Sequence, residues 1–340
     1  AAAPFSVIAP TLAMALRATP PAVANPVLRR AAAALDRPPQ AVARFHVEGG
    51  YAGKPEYDAG QVAQRELALI RDVALAWRLS GERRFLDAAA RYLEAWSAAY
   101  AVSLNPIDEE SFERVMIAAD LVRGDLPAPV RVAVDGVVAR FAAGYLDFIE
   151  ASTRRTSLRA TDRNNWNSHR VKIAVLAAYA GGDGATIGRA RAAFDLQLAR
   201  NVKPGGEVMD FAERDALHYV VYSLLPLGTA CAAAAAHGES WLTRAPTGAG
   251  NVRAGIEWLL PYVAGEKTHQ EFVRSTVRFD AERAAAGVAG FTGPWKRESA
   301  LDLIALAAHL DPAAYRPAYE RLTRDTGRQA ADWMRILFPA

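Results

Sequence analysis

The chain has 340 residues, 51% of them apolar and 23% charged, which is ample for a large buried core and unlike a disordered chain. A net charge of +3 and a pI near 9 suit an acidic partner but fall short of a nucleic-acid binder, and no apolar run reaches the ~18 residues of a membrane span. The single cysteine, Cys231 in an Ala-rich run, rules out an intrachain disulfide framework and a multi-cysteine zinc site, and reads as a core residue.

The sequence opens Ala1-Ala2-Ala3-Pro4, like the mature end left by signal-peptide removal, and so predicts a periplasmic or secreted protein. Residues 1–40 read as an extension packed on the rest. Arg44-Phe45-His46-Val47-Glu48-Gly49-Gly50-Tyr51 is a Gly-rich loop that offers His46 and Tyr51 as binding residues. Over residues 61–79, Leu67, Leu69, Ile70, Val73, Ala74 and Trp77 recur at helical spacing; over 84–99, Phe85, Leu86, Ala89, Tyr92, Leu93 and Trp96 do the same. Ser80-Gly81-Glu82 between them is a helix stop and restart. Asn105-Pro106-Ile107-Asp108-Glu109 precedes a helix, with Asn105 a candidate binding residue and the acids placed to complement the helix dipole. Apolar helix, tight turn and amphipathic helix then repeat around Gly181-Gly182-Asp183-Gly184 and around Asp311-Pro312.

Helical hairpins of this kind must stack to bury their inner faces. They predict an all-α protein, an incomplete α/α toroid with a central cleft, as one domain over residues 1–340. The longer non-helical pieces, 45–57, 102–107, 154–165, 202–209 and 245–251, are where binding groups are expected to gather.

Two clusters stand out. Asn164-Asn165-Trp166-Asn167-Ser168-His169-Arg170 ends a polar loop and opens an apolar helix, with Asn165 and His169 one turn apart. Downstream, Arg214, His218, Tyr219 and Tyr222 fall close together on what reads as one helix ending Leu224-Leu225-Pro226-Leu227. Gly293-Pro294-Trp295-Lys296-Arg297 adds a stacking Trp295 beside Lys296. His237 and His309 at helix ends, and His269 in a charged stretch, read as surface residues.

The second cluster resembles the alginate-lyase-like superfamily of α/α-toroid polysaccharide lyases, with Tyr219 at the position of that family's Tyr and Arg214 five residues before it. The first looks like the family's Asn-Asn motif, and its Asn-Asn-Trp-Asn-Ser-His form is closest to the glucuronan-lyase branch. The resemblance spans residues 40 to 325. It implies an acidic polysaccharide substrate; uronate elimination requires no cofactor and no metal, and charge and hydropathy point to no nucleic acid and no membrane.

Elimination from a uronate needs its carboxylate neutralised, its C5 proton taken and O4 of the leaving sugar protonated. The resemblance gives Asn165 and His169, with Arg214, the first task and Tyr219 the acid/base work, with a nearby cation lowering the Tyr pKa. Asn164, Trp166, His218 and Tyr222 would line the substrate; His169 could instead be the base, and Tyr222 is the reserve acid/base. In β-1,4-linked D-glucuronate and D-mannuronate the C5 proton and O4 share one side of the ring, so one Tyr can serve both steps; glucuronan is favoured, polymannuronate next. Two other readings are a non-catalytic polysaccharide-binding protein and a toroid glycoside hydrolase drawing on Glu48, Asp58, Asp108, Glu109 or Glu207.

Overall fold

The structure, a computed structural model, describes residues 4–340; the Ala1-Ala2-Ala3 stretch behind the expected mature end lies outside the described residues. Its helices run α1 (Pro10–Ala15), α2 (Pro21–Ala32), α3 (Pro55–Ser80), α4 (Arg83–Ala99), α5 (Pro106–Glu109), α6 (Glu113–Val122), α7 (Ala128–Thr153) and α8 (Asn165–Gly181). They continue as α9 (Gly184–Asn201), α10 (Met209–Arg214), α11 (Leu217–Ala236), α12 (Val252–Val263), α13 (Arg278–Ala285), α14 (Leu301–Leu310), α15 (Pro312–Thr326) and α16 (Asp332–Leu337). Extended pairing among the described residues is confined to the isolated bridges Val202–Val208 and Gln270–Pro294. The fold class is all-α, as the hairpin pattern predicts.

The residues fall into two compact units, one running up to Phe148 and taking in Ile173–Ala190, the other made of Ile149–Lys172 and Arg191–Ala340. In the first, α3 packs against α2, α4 and α6. The six apolar residues expected on one face of α4 are all buried, while Arg84, Asp87, Arg91 and Glu94 are exposed. The expected stop is Gly81, in the left-handed region at φ 67°, whose N–H donates to the Trp77 carbonyl. Glu66, buried in α3, accepts from Trp96 Nε1 at 2.7 Å, so the buried charge has a partner.

In the second unit α11 is the core. Its sequence is apolar on every side, which suits a helix surrounded by others, and α10, α12 and α14 pack on it. By length and composition it could cross a membrane, contrary to the expectation that no run would; 78% of that apolar window is buried within the protein. Gly255 of α12 lets α11 come close, since a Cβ there would lie 2.7 Å from Leu224 Cδ2. Each fully buried Val or Leu on α11 contributes roughly 1.5–3 kcal/mol. Cys231 is buried in this helix, as expected. α14 and α15 form the expected hairpin, with Asp311 Oδ1 accepting from Ala314 N at 3.1 Å as the cap.

Candidate active site

The first cluster builds the start of α8. Asn164 Oδ1 accepts from Trp166 N at 3.1 Å, an N-cap. Asn165 gives both its backbone N–H (2.8 Å) and its side-chain Nδ2 (2.7 Å) to Asp210 Oδ1 on α10, and Asn201 Nδ2 on α9 holds the other oxygen at 2.9 Å. A second row lies beside it. Asn167 Nδ2 donates to Gln197 Oε1 at 2.7 Å, Gln197 Nε2 to Ser168 Oγ at 3.0 Å, and Ser168 meets Ser223 of α11 at 2.9 Å. The unusual density of polar residues is therefore a buried layer tying α8, α9, α10 and α11. Burial pushes the Asp210 carboxyl above its ordinary range, against the hydrogen bonds from Asn165 and Asn201.

The second cluster is not one helix. α10 ends at Arg214, Asp215 turns the chain in the left-handed region at φ 50°, and α11 starts at Leu217. Asp tolerates that conformation, and the loop before α13 fixes it. The Asp215 carboxylate accepts from Arg274 N at 2.8 Å, and its carbonyl accepts from Phe272 N at 2.9 Å and lies 2.8 Å from His269 Nε2. His269 is thus engaged with this turn, rather than being a surface residue. The turn folds Arg214 back so that its Cζ lies 3.5 Å from the Tyr219 ring centroid. Asp280 of α13, 1% exposed, holds that guanidinium through Nε at 3.0 Å and through Nη2. Glu271 caps α11, its two oxygens accepting from Leu217 N (2.8 Å) and His218 N (3.1 Å). Arg283 Nη1, also from α13, donates to Tyr219 Oη at 3.3 Å.

Around Tyr219 stand His218, edge-on at 4.9 Å, Tyr222 at 6.0 Å and Phe272 at 5.9 Å; His169 reaches the group through Tyr222, at 4.4 Å. Tyr219 is 6% exposed, His169 3% and Asn165 1%, whereas Tyr222 and Trp166 are half-buried and His218 is exposed. The set expected to face the carboxylate thus lies deeper than the sequence pattern implied, and the surface is offered by His218 and Tyr222. Burial raises the Tyr219 pKa; Arg214 and Arg283 oppose it without overcoming it, so the expected lowering is not the net result.

His218 has solvent on one side and protein on the others. That surrounding protein, then Arg214 and Arg283, push its pKa down to about 4, so it is neutral at pH 7. A depressed histidine pKa favours the folded state above the unfolded value near 6.5 and ceases to do so as pH falls towards 4. Replacing His218 with Gln is therefore expected to flatten the loss of melting temperature between pH 6.5 and 4. Parallel curves for the two proteins would contradict the shift.

The remaining candidates sit on other partners. Arg170 Cζ lies 5.8 Å from the Trp166 ring. Trp295 is half-buried with its backbone N–H on the His269 carbonyl at 2.9 Å, and Lys296 is exposed. In the first unit, Asn105 caps α5 through Ile107 N (3.1 Å) and Asp108 N (3.4 Å). His46 Nδ1 lies 2.7 Å from buried Asp108 Oδ2, which raises its pKa. Tyr51 is half-buried, with Lys54 Nζ 5.2 Å from its ring. Asp108 also accepts from Val47 N and Glu48 N, while buried Glu109 accepts from Tyr100 Oη and Tyr145 Oη, so neither is a free hydrolytic acid. The sequence reading missed Asp210, Glu271, Asp280 and Arg283. An acid between Met209 and Phe211 was a readable sign of a buried carboxylate; the other three lie in a segment without helical periodicity.

The sequence profile of the alginate lyase family matches residues 18–269. No curated protein matches the chain in sequence. Among solved structures, an alginate lyase from Bacteroides ovatus is similar at 15% identity, with 99% of each chain covered and a TM-score of 0.66. Alginate lyase A1-III from Sphingomonas species A1 is similar at 16% identity over 77% of this chain and 80% of the other, with a TM-score of 0.52. A variant of alginate lyase A1-III complexed with tetrasaccharide gives 15% identity, 67% of each chain and a TM-score of 0.52. These likenesses are of fold, the α/α toroid.

Proposed function

The chain belongs to the alginate lyase family and is a polysaccharide lyase, and from that premise we propose that it cleaves a β-1,4-linked uronate polymer by syn β-elimination with Tyr219 as acid/base. The observation that carries the assignment is the pair of guanidinium groups on one phenol, Arg214 over its ring and Arg283 on its oxygen. Both favour the phenolate that a base at C5 must be. In the reaction the phenolate takes the C5 proton, the C4–O4 bond breaks as C4=C5 forms, and the same proton passes to O4 of the leaving sugar. His218 and Tyr222 are the surface over which the sugar approaches; His169, behind Tyr222, completes the donors to its carboxylate; Asn165 holds the layer beneath in place. That the similar structures are alginate lyases supports alginate, and so its polymannuronate blocks, as substrate. The Asn-Asn-Trp-Asn-Ser-His motif favours glucuronan as the second reading.

The test is release of unsaturated uronate, followed by ultraviolet absorbance, on polymannuronate, polyguluronate, glucuronan and pectate. Absorbance is expected with polymannuronate or glucuronan, and cleavage that yields saturated ends would overturn the lyase reading. Among the described residues no three His, Cys, Asp or Glu side chains are grouped as metal ligands. The rate is accordingly expected to be the same in chelator; loss in chelator restored by a divalent cation would contradict the proposed donor set.

A further inference from the structure

Arg283 lies beyond residue 269, where the family match ends, yet it touches the phenolic oxygen. Its approach is fixed by a closed ring of contacts. Arg283 Cζ lies 5.1 Å from the Phe291 ring, Phe291 stacks on Phe272 at 4.8 Å, and Phe272 meets Tyr219 edge-on at 5.9 Å. A guanidinium only donates, so the phenol cannot give its proton to Arg283. A phenolic O–H lies near the ring plane with two directions open to it; one is taken by the Arg283 N–H. We infer that Arg283 is a positioning residue for Tyr219, holding one side of the phenolic oxygen so that the proton, or the lone pair once it has left, faces the other side.

This deepens the proposed function and rests on it for the kinetic consequence. The charged and titratable groups facing Tyr219 are Arg214 from α10, His218 and Tyr222 from α11 itself, and Asp280 and Arg283 from α13. Arg214 is clamped by Asp280 and not by Arg283, so the effect of Arg283 is separable.

The experiment compares Arg283→Met, which removes donor and charge, with Arg283→Lys, which keeps the charge without the fork. Below the pKa of the phenol, the phenolate fraction grows tenfold per pH unit, so the loss of an adjacent cation is expected to cost Arg283→Met about tenfold in kcat at fixed pH. KM should be nearly unchanged, and Arg283→Lys should recover part of the loss. A substrate-free readout runs beside it: phenolate absorbance of each protein minus that of its Tyr219→Phe counterpart, in which the Tyr219 midpoint moves up by about one pH unit in Arg283→Met. An unmoved midpoint, or a loss lying wholly in KM, would overturn the inference. Normal turnover in Tyr219→Phe would instead overturn the proposed function and leave the titration as the judge of Arg283.

Discussion

Tyr219→Phe is expected to lower turnover by about two to four orders of magnitude, the usual worth of general acid–base catalysis, while the polymer still binds. Phe keeps the ring that Arg214, His218, Tyr222 and Phe272 touch, so packing is preserved and only the hydroxyl bonded to Arg283 is lost. Initial rates of unsaturated uronate release, set beside polymer binding by calorimetry, check it. The comparison with Tyr222→Phe matters because Tyr222 has the greater surface and lies 6.0 Å away. Near-normal turnover in Tyr219→Phe with loss in Tyr222→Phe would move the acid/base one helical turn along. Normal turnover in both would leave His169 as the base. His169→Ala should weaken binding as well as turnover, because its assigned task is charge neutralisation.

Asp280→Ala is expected to destabilise the protein by about 3–5 kcal/mol, the cost of leaving one partner of a buried ion pair uncompensated. Arg214 is 8% exposed and Asp280 1% exposed, so water has little access to the orphaned guanidinium. Ser275 Oγ, which gives its hydrogen to Asp280 at 2.5 Å, loses its acceptor too. The midpoint of urea unfolding is the measurement. A loss under about 1 kcal/mol would place this pair with exposed ones and show that Arg214 finds another partner. Turnover should fall with stability, because the carboxylate that keeps Arg214 against the Tyr219 ring is gone.

The helices were legible because burial writes itself as periodicity: the α4 stripe and the Gly81 stop needed only spacing and turn chemistry. Asn105 and Asn164 turned out to be caps, which an Asn before a helix start already announces. Two things could not be read. The break at Asp215 places a non-glycine residue in the left-handed region, held by backbone of Phe272 and Arg274 from far along the chain. The partners of the second cluster, Glu271, Asp280 and Arg283, lie 53 to 66 positions from the residues they serve. No local pattern encodes such a pairing, and their surroundings, polar and interrupted by turns, look like surface. The Asn165–Asp210 pairing was unreadable for a related reason: an Asn aimed at a ligand and an Asn aimed at a buried Asp are the same letters.

Glu271 also orders events in time. α11 emerges during synthesis with its first-turn N–H groups uncapped, and Glu271 follows it by 54 positions, the partners of Arg214 and Tyr219 by 66 and 64. Local helices form in microseconds, whereas contacts of such long separation wait on the closing of large loops. The scaffold helix is therefore a finished object before the groups around Tyr219 are, and a nascent chain stopped short of residue 283 can own every helix through α12 and still lack the site.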